Sequence, residues 1–244
     1  MKIWICIPVF NRSQYTLKCL ETLKAQTFQD FTVVICDHGS TDGSSALISE
    51  QFPDTVILTA DSSLWWTGAI NVCIRYVLKN AEATDALLTL NNDTELQTDY
   101  LQQLLNNSEK YQDAIITSVI HDINTGKLFE IGFRQNWLLG TSKPVDFANN
   151  HVPNDNNTVE VTHASGRGTL FPLSVFDNIG LFDEDHLPHY AADYDFTFKA
   201  AKAGFKINVC QHCRVYSHIE ATGQANVLPN ISARSFMDYF NGMR

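Results

Sequence analysis

A short apolar run ends in three polar side chains that could bind a ligand. Leu87 to Leu90 is typical of a buried strand in a parallel sheet, and Asn91, Asn92 and Asp93 follow it directly. Ligands of open α/β sheets bind just beyond the carboxyl ends of the strands. A carboxylate there is a hard oxygen ligand, suited to Mg²⁺ or Mn²⁺ bridging a diphosphate. The alternative is a simple turn, in which Asn and Asp are also common.

Two further predicted strands end in polar segments of the same kind. Asp37 begins the sequence DHGSTDGS, whose glycines allow a tight turn with the backbone close to a ligand. Side chains at 40–42 could cap the next helix, whose N-terminus would favour phosphate. The first strand ends in PVFNR, residues 8–12. Three strand tips, near Asn11, Asp37 and Asp93, therefore converge, and the convergence is more specific than any single motif.

Strand-like and helix-like patterns alternate in the first part of the chain. Such alternation is typical of a parallel sheet with right-handed crossovers, so we expect an α/β fold. The predicted strands are Ile3–Val9, Phe31–Cys36, Thr55–Leu58 and Ala86–Leu90, and the predicted helices are Ser13–Gln26 (capped by Ser13), Ser44–Gln51 and Thr67–Asn80.

The pattern is less regular after Asp93. Residues 135–157 are rich in Asn, Asp and Pro and are predicted to form a long loop. The predicted helices are Asp99–Lys110 and Asp193–Ala203, and the predicted strands are Ala114–Ile120, Lys127–Phe133, Thr169–Phe171, Phe205–Val209 and Arg214–Ser217.

The composition excludes several classes of protein. Seventeen Lys and Arg against 27 Asp and Glu give a net charge of −10, which argues against a nucleic-acid-binding protein. No apolar run approaches the ~20 residues that span a bilayer, and the N-terminus is predicted to be a strand, not a signal peptide.

Cys210 and Cys213 have metal-site spacing, but without a second pair we expect packing residues. Reduced thiols and the lack of an export signal indicate the cytoplasm.

An ordered set of segments resembles glycosyltransferase family 2, whose members have the GT-A fold. The segments follow the family's order and cover nearly the whole chain. They are PVFNR (8–12), DHGSTDG (37–43), TGAIN (67–71), NND (91–93), GRGTLF (166–171), GLFDE (180–184), DYD (193–195) and KAGF (202–205). The resemblance implies a Rossmann-like, mostly parallel central sheet flanked by helices, with a smaller mixed sheet on the acceptor side.

The resemblance also implies one domain over residues 1–244, with a nucleotide-binding half at 1–95 and an acceptor-binding half at 96–244. Asp93 would bind a divalent metal, Mn²⁺ or Mg²⁺, and His218 would reach the metal or the diphosphate. Asn91 stands where the family's D-x-D motif often has Asp, so one direct carboxylate ligand is expected. The residues expected to bind the nucleotide-sugar are Pro8, Phe10, Asn11, Arg12, Asp37 (at the uracil or thymine edge), Ser40, Trp66, Gly68, Asn71, Asn91, Asn92, Asp93 and Gly166.

Asp193 is the expected catalytic base. It matches the second residue of the family's Glu-Asp pair, and an inverting transfer needs a carboxylate that takes the proton of the acceptor hydroxyl. Ala192 stands where the family usually has Glu, so an adjacent acid is missing. The alternative is that Asp193 only caps the helix that follows. Arg167 is unusual in its segment and could pair with a phosphate or an acidic sugar; the alternative is a surface salt bridge.

The resemblance implies an inverting, metal-assisted transferase that moves a sugar from a UDP- or dTDP-linked donor to a glycan or lipid-linked saccharide. The expected location is the cytoplasm, with peripheral contact at the inner face of the cell membrane through the aromatic segment 234–244, and a homodimer is a further option. Ala192 and Asn91 keep open a catalytically silent nucleotide-sugar-binding module. A nucleotidyltransferase is the alternative enzyme, although its Gly-rich basic loop is absent after the first strand.

Overall fold

The computed structural model describes residues 1–136, 141–145 and 158–221. The strands are β1 (Ile3–Val9), β2 (Phe31–Asp37), β3 (Val56–Thr59), β4 (Ala86–Thr89), β5 (Thr94–Leu96), β6 (Ile115–Asp122), β7 (Leu128–Glu130), β8 (Phe133–Asn136), β9 (Thr141–Pro144), β10 (Thr158–Val161), β11 (Thr169–Pro172) and β12 (Ile207–Ser217). The helices are α1 (Ser13–Lys24), α2 (Ser44–Gln51), α3 (Trp65–Asn80), α4 (Tyr100–Lys110), α5 (Ser174–Ile179) and α6 (Ala192–Lys202). Every element predicted before Asp93 is present.

One large sheet carries strands from both halves of the chain. β4, β1, β2 and β3 lie side by side in that order and are parallel, as the alternating pattern predicts. Beyond β4 the sheet continues through β11, β6, β12 and β10, with β11 antiparallel to both of its neighbours. A separate antiparallel pair, β8 and β9, forms the smaller sheet. Because β1, β2 and β4 run in one direction, their polar tips meet at one edge.

Alternate residues of the strands face two opposite layers of helices. In β1, Trp4 and Cys6 join the apolar cluster that contains α3, α5 and α6, whereas Ile5 and Ile7 join the cluster that contains α1, α2 and α4. Helices therefore cover both faces of the sheet, and the edge with the strand tips is the part that is left to bind a ligand.

A single strand, β12, replaces the two that were predicted at Phe205–Val209 and Arg214–Ser217. It pairs with β6 on both sides of a register shift between Cys210 and Arg214. Cys210 and Cys213 form a disulfide at this irregularity, with their Cα atoms 5.2 Å apart. The prediction of reduced packing residues is therefore wrong for this pair, because a bulge folds two nearby cysteines together. The other four cysteines are free and buried, and thiol usage no longer argues for the cytoplasm.

Three local features differ from the predictions. Ser13 does not cap α1: Arg12 is the N-cap residue, in the left-handed region at φ 62°, and the Ser13 N–H donates to Asp42 Oδ2 at 2.9 Å. The predicted strand Lys127–Phe133 divides into β7 and the start of β8. Within the predicted loop 135–157, β9 pairs with β8, and 137–140 and 146–157 lie outside the described residues.

Gly168 occupies a position that no larger residue fits. Its φ is +76°, and a Cβ atom there would lie 2.5 Å from the Tyr100 hydroxyl and 2.8 Å from Ser118 Oγ. We expect Gly168→Ala to lower the free energy of unfolding by about 2–4 kcal/mol in urea titrations, because left-handed strain adds to overpacking. Gly126→Ala is the control, since Gly126 has φ +67° in open space and should lose only about 1 kcal/mol. Equal losses would contradict the packing argument.

None of the helices in the described part of the chain combines the length and the apolar character of a membrane span. The segment 234–244, expected to contact the membrane, lies outside the described residues. Peripheral membrane contact therefore stays a prediction.

Candidate active site

A cavity of about 230 Å³ lies at the edge of the sheet where β1 and β4 end. Seven of the predicted site residues line it: Pro8, Arg12, Trp66, Asn91, Asn92, Asp93 and Asp193. The other lining residues are Glu130, Ser165, Arg167, His189, Tyr190, Ala191 and Tyr194. The cavity thus brings the tip of β4 together with the first turn of α6, which are far apart in the chain.

Asp93 offers an unused carboxylate oxygen at this cavity. The residue is buried, and its Oδ1 has no hydrogen-bond partner among the described residues. Burial raises the pKa of Asp93, and the nearby charges of Arg167 and Arg12 act in the opposite direction. Because an unpaired buried carboxylate is costly, the geometry favours a cationic ligand at Asp93.

Asn91 and Asn92 use their side chains to hold the loop in place. Asn91 Oδ1 accepts a hydrogen bond from Trp66 Nε1 at 3.0 Å, and Asn92 Nδ2 donates to Thr16 Oγ1 at 2.9 Å. The first bond fixes the indole of Trp66 as one wall of the cavity. Both residues lie at the predicted place, and their bonded atoms orient Asp93 and the cavity wall.

His218 lies beside Asp93 but does not line the cavity. Its backbone N–H donates to the Asp93 carbonyl at 2.9 Å, while its ring nitrogens contact Glu95 Oε1 at 3.1 Å and Glu220 Oε1 at 3.3 Å. A metal bond from His218 would require the ring to leave one of these carboxylates. Among the described residues, no three His, Cys, Asp or Glu side chains form a ready-made metal site.

The tips of β1 and β2 are tied together beside the cavity. The Asn11 N–H donates to Ser40 Oγ at 2.7 Å, and Asn11 Oδ1 accepts from the Thr41 N–H at 2.8 Å. Asp37 is buried and accepts hydrogen bonds from the Ser40 N–H and the Ser45 hydroxyl. These contacts give the loop at the tip of β2 a fixed shape that needs no ligand.

An exposed aromatic face lies next to these tips. Phe10 is 46% exposed and stacks on His38, with ring centroids 5.2 Å apart and planes 23° apart. Such a face suits the stacking of a planar base. The predicted positions of Phe10 and Asn11 at the nucleotide end of the site are therefore compatible with the geometry.

Gly68 and Asn71 are not among the described residues that line the cavity, so their contact with the nucleotide-sugar stays a prediction. Both are buried in α3. Asn71 Nδ2 donates to the Phe182 carbonyl at 2.9 Å, and Asn71 Oδ1 accepts from the Phe182 N–H at 3.1 Å. A Cβ at Gly68 would lie 2.8 Å from Leu64 Cβ. The two residues fit α3 to its neighbours, because a buried Asn must satisfy its amide within the protein.

Asp193 is held in the cavity by two backbone N–H groups. Its Oδ2 accepts from Gly166 at 2.9 Å, and its Oδ1 accepts from Tyr194 at 3.0 Å. Burial raises the pKa of Asp193, and these two hydrogen bonds lower it. A Cβ at Gly166 would lie 3.3 Å from both Asp193 Cβ and Trp66, so the glycine allows the close approach. The carboxylate of Asp193 therefore has a fixed orientation, and burial makes it a stronger base.

Ala192 packs inside the protein and not toward the cavity. It is buried in the apolar cluster that also contains Phe182 and Phe196. An acidic side chain at this position would have to enter that cluster, where an unpaired charge is costly. The packing therefore accounts for the apolar residue next to Asp193.

Glu130, at the end of β7, is a cavity residue that sequence reasoning missed. Burial raises its pKa to about 7; Arg167 lowers the pKa, the charge of Asp193 raises it, and a hydrogen bond from the Tyr194 hydroxyl lowers it. The available signal was a carboxylate between Phe129 and Ile131 in a predicted strand. Two carboxyl groups, Glu130 and Asp193, thus line the same cavity, and Tyr194 donates to both.

The raised pKa of Glu130 predicts a specific pH dependence of stability. In the unfolded chain this carboxyl group loses its proton near its ordinary pKa of 4.5, but the folded protein keeps the proton until about pH 7. Stability should therefore fall as the pH rises from about 4.5 to 7. We expect Glu130→Gln to match the wild type at about pH 4 and to exceed its free energy of unfolding by about 1–3 kcal/mol at about pH 8. Urea titrations at both pH values measure the free energies of unfolding. Glu109→Gln, at an exposed site, is the control and should have the stability of the wild type at both pH values. A difference between Glu130→Gln and the wild type that does not change with pH would refute the prediction.

Comparison with known proteins decides the family. Residues 4–180 match the sequence profile "Glycosyl transferase family 2". The chain belongs to this family. A curated relative of the transferase is the glycosyltransferase GlyA of Streptococcus pneumoniae, which is 23% identical over 125 residues, or 50% of this chain and 17% of GlyA. The transferase spans less than half the length of the curated relatives it matches.

Solved structures confirm the fold. The transferase resembles TarS 1–349 of S. aureus in complex with UDP-GlcNAc, with a TM-score of 0.66 and 17% identity over 98% of this chain and 64% of TarS 1–349. It also resembles GalNAc-T7 with UDP, GalNAc and Mn²⁺, with a TM-score of 0.72 and 13% identity over 89% of this chain and 44% of that chain. The expected GT-A architecture and the expectation of a glycosyltransferase are therefore confirmed.

Proposed function

We propose that this family 2 glycosyl transferase moves a sugar from a UDP- or dTDP-linked donor to a glycan or lipid-linked saccharide by a single, inverting displacement. The observation that carries the proposal is that Asp93 and Asp193 line one cavity at the ligand-binding edge of the sheet. The first carboxylate suits the diphosphate end of the donor, and the second suits the acceptor hydroxyl. The chain is one domain, with nucleotide binding at 1–95 and acceptor binding at 96–244.

The nucleotide would lie along the tips of β1 and β2. Phe10 offers an exposed ring for the base, and Pro8 and Arg12 continue from there into the cavity. Asp37 already accepts hydrogen bonds from Ser40 and Ser45, and its remaining lone pairs would accept from the imide N–H of uracil or thymine. These two bases present the same imide edge, so a carboxylate at position 37 suits both donor classes.

Mn²⁺ or Mg²⁺ fits the residues of this site. The buried, unpartnered Oδ1 of Asp93 is a hard oxygen donor, and such ions are commonly held by one carboxylate together with substrate phosphates. Asp93 would hold the ion, with His218 as the neighbouring candidate ligand. When bound, the ion would supply positive charge to the departing diphosphate.

Asp193 would act as the base. Its carboxylate is anchored by the Gly166 and Tyr194 N–H groups, so it faces the cavity without rearrangement. The acceptor O–H proton passes to Asp193 as the acceptor oxygen bonds to the sugar's anomeric carbon. The bond from that carbon to the diphosphate breaks on the opposite side, and its electron pair leaves with the diphosphate. Such proton transfer contributes about 10²–10⁴-fold in rate.

Two relatives support the proposed acceptor class. A teichoic acid poly(glycerol phosphate) polymerase and a chondroitin synthase match parts of this chain, which supports a role in the synthesis of surface polysaccharide. We place the reaction on the cytoplasmic side of the cell membrane, with peripheral membrane contact and a homodimer as further elements of the proposal.

A panel of donors read by thermal shift tests this function. UDP-GlcNAc, UDP-glucose, UDP-galactose and dTDP-rhamnose are added with Mn²⁺, with GDP-mannose as the control. At least one uridine or thymidine donor should stabilise the protein, by about 2.7 kcal/mol at 100 times its Kd, and then release nucleoside diphosphate. Binding without turnover on any acceptor would favour the silent module, pyrophosphate release from UTP or dTTP with a sugar phosphate would favour a nucleotidyltransferase, and no binding at all would refute the proposal.

A further inference from the structure

Arg167 is a buried cation with an unpartnered guanidinium nitrogen. It is 8% exposed, it lines the cavity, and its Nη1 has no hydrogen-bond partner among the described residues. The carboxyl groups of Asp93, Glu130 and Asp193 act on it electrostatically, but none forms an ion pair with it in the described part of the chain. Since a buried guanidinium is costly without an anion against its N–H groups, the arrangement calls for an anionic ligand.

The surroundings hold Arg167 beside the tip of β4. The Gly168 N–H donates to the Thr89 carbonyl at 2.9 Å, and Thr89 Oγ1 donates to the Gly166 carbonyl at 2.7 Å. These bonds clamp the residues on both sides of Arg167 to the end of β4. The guanidinium carbon lies 5.8 Å from the centre of the Phe129 ring, within the range of a cation–π contact.

The metal donors near this position are few. Among the described residues that line the cavity, only Asp93 has a buried carboxylate oxygen without a hydrogen-bond partner. The neighbouring Asn91 Oδ1 and both His218 ring nitrogens already have partners. Arg12 is a second cation that acts on Asp93 and lines the same cavity. Arg12 and Arg167 therefore both lie close to Asp93, the carboxylate that would hold an ion.

We propose that Arg167 binds the outer phosphate of the donor's diphosphate directly and stabilises it as it leaves, so that donor binding does not depend on the metal alone. This rests on the proposed function. When the sugar–oxygen bond breaks, its electron pair stays on the outer phosphate, and the Arg167 N–H groups face this added charge. Arginine suits the task because its planar fork matches two phosphate oxygens.

Calorimetric titration of UDP, dTDP and UMP in EDTA and in Mn²⁺ tests the proposal. The wild type should bind UDP or dTDP in EDTA, and Arg167→Gln should weaken that binding about 10- to 100-fold while leaving UMP within about 3-fold. Arg167→Lys should retain part of the affinity, because it keeps the charge and loses the fork. Arg75→Gln is the matched control, since Arg75 is a half-exposed arginine paired with Glu184 at 2.7 Å outside the cavity.

The outcomes separate this proposal from the function on which it rests. Diphosphate binding seen only with Mn²⁺, or equal binding by Arg167→Gln and the wild type in EDTA, would overturn the role of Arg167 and leave the transferase proposal intact. A loss confined to UDP-glucuronate, with UDP and UDP-glucose unaffected, would also overturn it and assign Arg167 to a sugar carboxylate. No binding of either diphosphate under any condition would reject the proposed function itself. Thermal melts of each variant show whether it is folded.

Discussion

The Asp193→Asn variant is expected to transfer sugar about 10²–10⁴-fold more slowly than the wild type. The amide keeps the size of the side chain but cannot take the acceptor proton. It also gives up one of the two backbone hydrogen bonds, because its NH₂ group would face either the Gly166 or the Tyr194 N–H. Initial rates of nucleoside diphosphate release, with the donor and acceptor identified by the panel, measure the loss.

Asp195→Asn is the matched control for this prediction. Asp195 lies two residues away on α6, pairs with Lys199 at 2.7 Å and does not line the cavity. It should keep nearly full activity, and both variants should bind the donor as the wild type does. Asp193 would not be the base if its Asn variant retained more than about a tenth of the rate, or if Asp195→Asn lost as much.

The Asp93→Asn variant is expected to lose about 10²–10³-fold in activity and to lose the stabilisation of the protein by Mn²⁺. The amide oxygen is a weaker ligand than the carboxylate, and no other cavity residue of the described chain has an unused buried carboxylate oxygen. Rates over a Mn²⁺ titration, together with the thermal shift that Mn²⁺ causes with UDP present, measure both effects.

Although its activity should fall, the Asp93→Asn variant should be at least as stable as the wild type. Because burial raises the pKa of Asp93, the ionised side chain is unfavourable in the folded protein at neutral pH, and removing its charge should leave the melting temperature unchanged or higher. Asp99→Asn, at an exposed carboxylate before α4, is the control and should retain the Mn²⁺ response. An Asp93→Asn protein that is active and still stabilised by Mn²⁺ would place the metal elsewhere.

The parallel half of the fold could be predicted because its signals are local. In β1, β2 and β4 an uninterrupted apolar run identifies a strand that is buried on both faces. The helices between these strands show the apolar spacing that is typical of an amphipathic helix. Bounds in this half agree with the structure to within two residues, and α2 agrees at both ends. The position of Asp93 at a strand tip follows directly from these elements.

The acceptor half was harder to predict because its contacts are long-range. β12 was divided into two strands because the bulge at Cys210 interrupts its pattern, and only pairing with β6 joins the parts. Sequence order cannot show that the amide of Asn71 is satisfied by the backbone of Phe182. Glu130 was overlooked because β7 approaches the cavity through the sheet, not along the chain.

The sequence by itself determined the α/β class, the strand tips that carry ligand-binding residues, and the resemblance to family 2, since each depends on residue type and short-range order. Only the tertiary structure decided which side chains face the cavity and which serve the core. In the folded chain Asp193 accepts a hydrogen bond from Gly166, and Ala192 packs in the apolar cluster. The Arg167 Nη1 has no hydrogen-bond partner among the described residues. The physical reason is that burial and hydrogen-bond satisfaction are properties of the packed chain, and they set both the pKa of a carboxyl group and the ligand that a charge requires.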